Sequence, residues 1–181
     1  MMFEPHLRLI CTEDNFPGLM ADLALHLLDV VPADRAVPAN PNLKVYGHAL
    51  GSSVLAWYAP QELLAQAKKK FAHSLAEVPV FLPTAHTAVR ARDLWFERLN
   101  IKPRVVGEFE DSALLATFGA ADMGVFIAAE LIHDKLTSRY DVKRLGPCEG
   151  VEEHFFAIGT DKKVVHPLVL RLLPVKMVVK D

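Results

Sequence analysis

Three carboxylates and a hydroxyl lie within residues 108–112: Glu108, Glu110, Asp111 and Ser112. Glu108 and Glu110 are two apart, so on an extended strand they share a face. Clustered carboxylate oxygens are the hard ligands that a hard cation prefers, and here they suit a monovalent ion. The same residues suit a second task. Placed ahead of a helix, Glu110, Asp111 and Ser112 satisfy its first N–H groups and complement its dipole. The two tasks are compatible when one carboxylate caps and another faces a ligand.

Thr84, His86 and Thr87 form a second polar turn before a helix. A helix start favours anions, so this turn alone suits a carboxylate or phosphate. Helix capping by the threonines is the plainer role. Thr12, Glu13 and Asp14 make a third turn of the same kind, and Asp34 follows a strand where it stabilises a turn or faces a cleft. Other chemistries find little support. The eight histidines are scattered without metal-ligand spacing, and Ser52-Ser53 after Gly51 is no nucleophile elbow. Phosphate-loop patterns are absent as well. An enzyme, such as a lyase using Glu110 as its acid, has no recognisable acid–base pair behind it, so a non-enzymatic binding role is expected.

The elements that must hold these turns read as repeated βαβ units. In GEFEDSALLATFGAADMGVF, residues 107–126, a strand ends at the acidic turn. A helix follows with Ala113, Leu114 and Phe118 as its apolar face. Gly119 ends it, and Gly124–Ile127 forms a buried strand. Upstream, Val78–Pro83 is a strand and Arg90–Leu99 a helix with Val89, Leu94, Trp95 and Phe96 on or near its apolar face. At the start, strand Leu7–Cys11 leads to helix Gly18–Leu28 and strand Asp29–Val31. The proline-rich passage from Pro32 to Asn42 reads as turn or crossover. Leu43–His48 and Ser53–Tyr58 read as two strands around Gly51, and Gln61–Leu75 as a polar helix. Later come helix Ala128–Leu136, strand Asp141–Leu145, a turn at Gly146-Pro147 and strand Glu152–Gly159. A terminal helix from His166-Pro167 and a strand Val175–Val179 close the chain. Alternating strands and helices imply an α/β fold with a mostly parallel sheet in two lobes. Lobe I is expected at 1–34 plus 153–181 and lobe II at 35–152, with a cleft lined by the polar turns.

Bulk composition fits this reading. The chain has 181 residues, 51% hydrophobic and 23% charged, with net charge −2. That is enough for one large core or two small lobes. It lacks the basic excess of a dedicated nucleic-acid binder. Lys68-Lys69-Lys70 sits where a helix end favours cations, and Lys162-Lys163 is the other basic run. Trp57, Trp95 and Phe96 are core candidates. Cys11 and Cys148 are far apart, and Cys11 reads as a small buried apolar residue. No basic or apolar leader opens the chain, and no apolar run reaches the ~18 residues of a membrane span. A cytoplasmic protein with reduced thiols and no membrane partner is expected.

These motifs together resemble the effector-binding domain of LysR-type transcriptional regulators, in particular the NhaR-like, sodium-responsive branch. The resemblance rests on LDVV before the crossover (28–31), LPTAHTAVRARDLWF (82–96), GEFEDSALLATFGAADMGVF (107–126) and EEHFFAIGTDKKVVHPLVLRLL (152–173). It implies two α/β lobes like a periplasmic solute-binding protein of type II, with a small effector in the cleft. It also implies Na⁺ or Li⁺ as the effector, for which the carboxylates Glu108, Glu110 and Asp111 described above are the candidate ligands. The implied target is sodium/proton antiporter genes. Assembly would be as a dimer or tetramer through these domains, and DNA would be held only by a winged helix-turn-helix outside this chain. Leu7–Cys11 matches the second strand of lobe I, so that lobe is expected to be incomplete. The rival reading is a freestanding solute-binding module for a small anion or carboxylate.

Overall fold

A computed structural model describes residues 8–37, 44–84 and 87–160. The elements in chain order are α1 (Phe16–Ala24), β1 (Val31–Ala33), β2 (Tyr46–Pro60), α2 (Gln61–Lys68), β3 (Val80–Pro83) and α3 (Val89–Arg98). Then come β4 (Val105–Phe109), α4 (Ser112–Phe118), β5 (Val125–Ala129), α5 (His133–Arg139) and β6 (Val142–Gly159). The strands form a mixed six-stranded sheet in the order β1-β6-β2-β5-β3-β4. The chain divides into two compact units. Of the described residues, unit 1 holds those up to Ala49 and those from Phe156 to Thr160, and unit 2 holds Leu50–Phe155. Both boundaries fall inside long strands, β2 and β6.

Unit 1 is small. Asn15 caps α1 by accepting from the Gly18 N–H at 3.0 Å, and Asp14 braces Asn15. α1 buries Met20 and Leu23 with Val31, Val45 and Ile158. β1 pairs antiparallel with the end of β6, Val31 facing Ile158 and Ala33 facing Phe156. Pro32 therefore lies in a strand, not in a crossover. β1 is an edge strand, where a residue without an N–H is tolerated. Residues 8–11 form no strand, and Leu9, Ile10 and Cys11 are exposed, which overturns both the strand expected there and a buried Cys11.

Unit 2 is built on both faces of its strands. β3 pairs in parallel with β4 and β5, while β2 runs antiparallel to β5, so the sheet is mixed and not mostly parallel. One face buries Leu55, Trp57, Leu75, Val78, Trp95, Phe96 and Cys148. Trp57 stacks on Trp95 with ring centroids 6.0 Å apart, as the sequence led us to expect of core aromatics. The other face buries Tyr58, Phe81, Leu115, Phe126, Leu136 and Val142.

Two supposed turns are absorbed into long strands. Gly51, at φ +142°, lies inside β2 and does not end it. Gly146 in β6 makes room for Phe71, because a Cβ there would sit 2.4 Å from that ring. The long helix expected at Gln61–Leu75 is α2 plus a short 3₁₀ turn, His73–Ala76. The helix expected from Ala128 starts later, after a 3₁₀ turn at Glu130–Ile132. The expected terminal helix and Val175–Val179 lie outside the described residues.

The face of α4 also differs from the expectation. Leu115 and Ala116 are buried, whereas Ala113, Leu114 and Phe118 are exposed to differing degrees. At seven residues α4 turns too briefly for spacing to fix its face; Asp111 sets its start and thereby its rotation. Leu115→Ala should cost about 2–5 kcal/mol of stability and Leu114→Ala about 0.5 kcal/mol or less, measured by urea unfolding.

Candidate functional site

The parallel strands of unit 2 end at one edge of the sheet. Pro83 of β3 registers with Phe109 of β4, so Thr84 and Glu110 follow on neighbouring strands. The Thr84 N–H donates to the Phe109 carbonyl at 2.9 Å and ties the two turns together. In open α/β sheets ligands gather at such carboxyl ends. The threonine turn and the acidic turn, far apart in sequence, are thus neighbours.

The carboxylates divide their work. Asp111 is the N-cap of α4 and accepts from the Leu114 N–H. Glu108 lies on β4, Glu110 just past its end, and Ser112 opens α4; all three side chains are exposed. The capping task therefore falls on Asp111, leaving the glutamates directed to solvent. Among the described residues, no group of three or more His, Cys, Asp or Glu side chains is arranged to hold a metal ion.

On the threonine side, Thr84 and Thr87 are exposed, and α3 starts after Ala88 without a side-chain cap from that residue. His86 lies outside the described residues. Thr12 and Glu13 are exposed in unit 1, where Asn15 takes the capping role expected of Glu13 and Asp14. Asp34, also in unit 1, pairs with Arg35 at 2.9 Å.

Three contacts at or near the edge of unit 2 escaped the sequence reading. The buried Ser53 hydroxyl accepts from the Leu131 N–H at 3.0 Å and joins β2 to the segment after β5. Ser52 donates to Glu152 at 3.0 Å between β2 and β6. Arg92 is buried in α3 and donates to the Pro83 carbonyl at 2.9 Å. Helical spacing carried that signal: Arg92 precedes Trp95 and Phe96 by three and four residues and so shares their buried face.

Two groups away from the edge are strongly perturbed. Burial pushes the Cys148 thiol up to about 12, opposed in part by the Trp57 indole and by Arg92 and Arg98. The Trp57 Nε1 atom has no hydrogen-bond partner of ordinary geometry, so its contact with that sulfur is weak. Cys148 is accordingly an inert core thiol. Burial and the nearby Glu130 carboxylate push the Tyr58 phenol up to about 12; Arg144, which pairs with Glu130, works against them. The Tyr58 hydroxyl lies 3.3 Å from His133 Nδ1. No described helix is long and apolar enough to cross a membrane.

Residues 4–173 match the LysR substrate binding domain family, and the chain belongs to that family. It is therefore an effector-binding, non-enzymatic domain of a LysR-type transcriptional regulator. The chain is 26% identical over 168 residues to the transcriptional activator protein NhaR of Escherichia coli (strain K12), and equally so to that of Shigella flexneri. The alignment takes in 92% of this chain and 54% of each relative, so the chain spans about half the length of those proteins. Among solved structures it is similar to CbnR, a LysR family transcriptional regulator, with TM-score 0.64, 16% identity, and coverage of 94% of this chain and 59% of CbnR. It is similar also to the cofactor-binding domain of the Cbl transcriptional regulator, with TM-score 0.62, 17% identity, and coverage of 92% and 74%. LysR effector domains have the fold of periplasmic binding proteins, as the sequence resemblance implies.

Asp111→Ala should cost about 0.5–2 kcal/mol through the lost cap, while Glu108→Ala and Glu110→Ala change stability by about 0.5 kcal/mol or less in urea unfolding. Tyr58 sets a pH dependence. Below the ordinary phenol value of 10.0, both folded and unfolded chains keep the proton. Between 10.0 and about 12 only the unfolded chain loses it, so stability falls as pH rises through that window. Tyr58→Phe should flatten that fall in unfolding curves measured across the window.

Proposed function

We propose that this domain senses Na⁺ or Li⁺ for a NhaR-like regulator of sodium/proton antiporter genes. The observation that carries the reading is the Thr84–Phe109 hydrogen bond, which sets the threonine turn beside the acidic turn in a chain related to NhaR. Glu108 and Glu110 are exposed there and, with Asp111 engaged as the cap, are the carboxylates available to a hard cation. Thr84, His86, Thr87, Asp111 and Ser112 complete the effector site within lobe II. The lobes are taken as 1–34 plus 153–181 and 35–152. The ion acts by binding one conformation more tightly than another, since equal affinity shifts no equilibrium.

The regulator works in the cytoplasm as a dimer or tetramer and holds DNA through a domain outside this chain. Exposed Leu9 and Ile10 in unit 1, and Leu94, Leu99, Val105 and Val106 in unit 2, support association. A second reading, a solute-binding module for a small carboxylate or other anion, draws on the start of α3, since a helix start favours anions.

Thermal unfolding in NaCl, LiCl, KCl and choline chloride at equal ionic strength and pH tests the first reading. A ligand of the folded state raises the midpoint with its concentration. Na⁺ and Li⁺ should stabilise the domain above K⁺ and choline, and Glu110→Gln should abolish the difference. Identical midpoints in all four chlorides, with a rise in sulfate or an organic acid, would replace it with the anion reading.

A further inference from the structure

We propose that Arg92 is a positioning residue that clamps the Pro83–Thr84 peptide and so sets the threonine turn against the acidic turn. The proposal rests on the reading above that these two turns form the effector edge.

Arg92 occupies the apolar face of α3, with Ala88 four residues before it and Trp95 and Phe96 three and four residues after. It is only 5% exposed. A guanidinium in such a place is costly unless hydrogen bonds compensate, and an aliphatic side chain would fill the face without that cost. What the cation secures is specific. Its Nη1 donates to the Pro83 carbonyl at 2.9 Å. Its Nε and Nη2 donate to Asp93 Oδ1 at 3.0 and 2.8 Å, which holds the planar group in one orientation. The Asp93 side chain is 52% exposed, so the pair is anchored at the margin of the core.

Pro83 needs such a partner. The registered partners of β3 on β5 end at Phe81, so Pro83 lies beyond that ladder. Its buried carbonyl is taken by Arg92. The next atom along the chain, the Thr84 nitrogen, donates to the Phe109 carbonyl at 2.9 Å. Both ends of one peptide group are therefore held: its C=O by the α3 guanidinium and its N–H by the last residue of β4. A peptide group hydrogen-bonded at both ends resists reorientation, which favours one mutual geometry of the Thr84 turn and the Phe109–Asp111 turn. Arg92 touches no effector; it acts through Pro83.

Hydrogen exchange followed by mass spectrometry on the whole chain reads this directly. In Arg92→Met, peptides covering residues 80–88 and 105–112 should exchange about tenfold faster, with residues 125–129 unchanged. Asp93→Ala, at an exposed position, should show the same two segments accelerated by about threefold. Leu136→Ala supplies a destabilised control that leaves the clamp intact, and it should not produce this pattern. Unchanged exchange at both segments overturns the proposal, as does an increase in Arg92→Met spread over unit 2 like that of Leu136→Ala. If Arg92→Met fails to fold, Asp93→Ala decides by the same criterion. Midpoints in NaCl against choline chloride separate the two ideas. A Na⁺ shift in the natural sequence that disappears in Arg92→Met supports both. No Na⁺ shift in the natural sequence ends the sodium reading, and exchange alone then rules on Arg92.

Discussion

Phe81 must fit between two neighbouring strands, and much of unit 2 follows from the room it takes. On β4 it registers with Gly107, where a Cβ would sit 2.9 Å from its ring. A Cβ at Gly124, just before β5, would also meet that ring at 2.9 Å. Any side chain at either position would push the strands apart. With both absent, Phe81 packs edge-on against Phe109 and Phe118, with centroids 5.2 and 6.3 Å away. Gly119 plays the same part for Phe126, whose ring would lie 2.1 Å from a Cβ there. The glycines and phenylalanines of residues 107–126 are two halves of one packing arrangement, which presses α4 onto the sheet and brings the acidic turn to the end of β4.

Much of this was legible in the sequence, for a physical reason: short buried strands flanked by polar turns leave a strong local pattern. β3, α3, β4, α4 and β5 all appear near the predicted places, and Trp57, Trp95 and Phe96 are in the core. The long strands were not legible. Gly51 and Gly146-Pro147 look like turns, but both lie inside long strands, and Gly146 leaves space for Phe71. Both facts depend on tertiary neighbours that no local pattern carries. The start of the chain failed differently. Leu9, Ile10 and Cys11 have the composition of a strand, but residues 8–11 form none. Composition proposes a strand; only a partner makes one.

The candidate site was half legible. The turns could be picked out as polar clusters, but their adjacency could not. That depends on the register of β3 on β4 and on a backbone bond from Thr84 to Phe109. Nor could the sequence divide capping from exposure among Glu108, Glu110 and Asp111. Asp111 takes the cap because it directly precedes the first helical residue, where its carboxylate reaches the Leu114 N–H. Glu110, one residue earlier, is exposed. Arg92 was passed over because a charged residue within a helix usually faces water. Here its spacing from Trp95 and Phe96 outweighed its charge, and the buried carbonyl of Pro83 compensates it.

What distinguishes this edge of unit 2 is the meeting of a helix-start turn, which favours anions, with exposed carboxylates, which favour cations. The carboxylates take precedence in the proposed reading, because the chain is related to NhaR and because Glu108 and Glu110 are exposed. The most direct test is a titration of backbone amide NMR shifts with NaCl against choline chloride at constant ionic strength. Saturable, Na⁺-specific shifts centred on Thr84 and on Glu108 to Ser112 are expected. Equal responses of those amides to both salts would contradict the sodium reading.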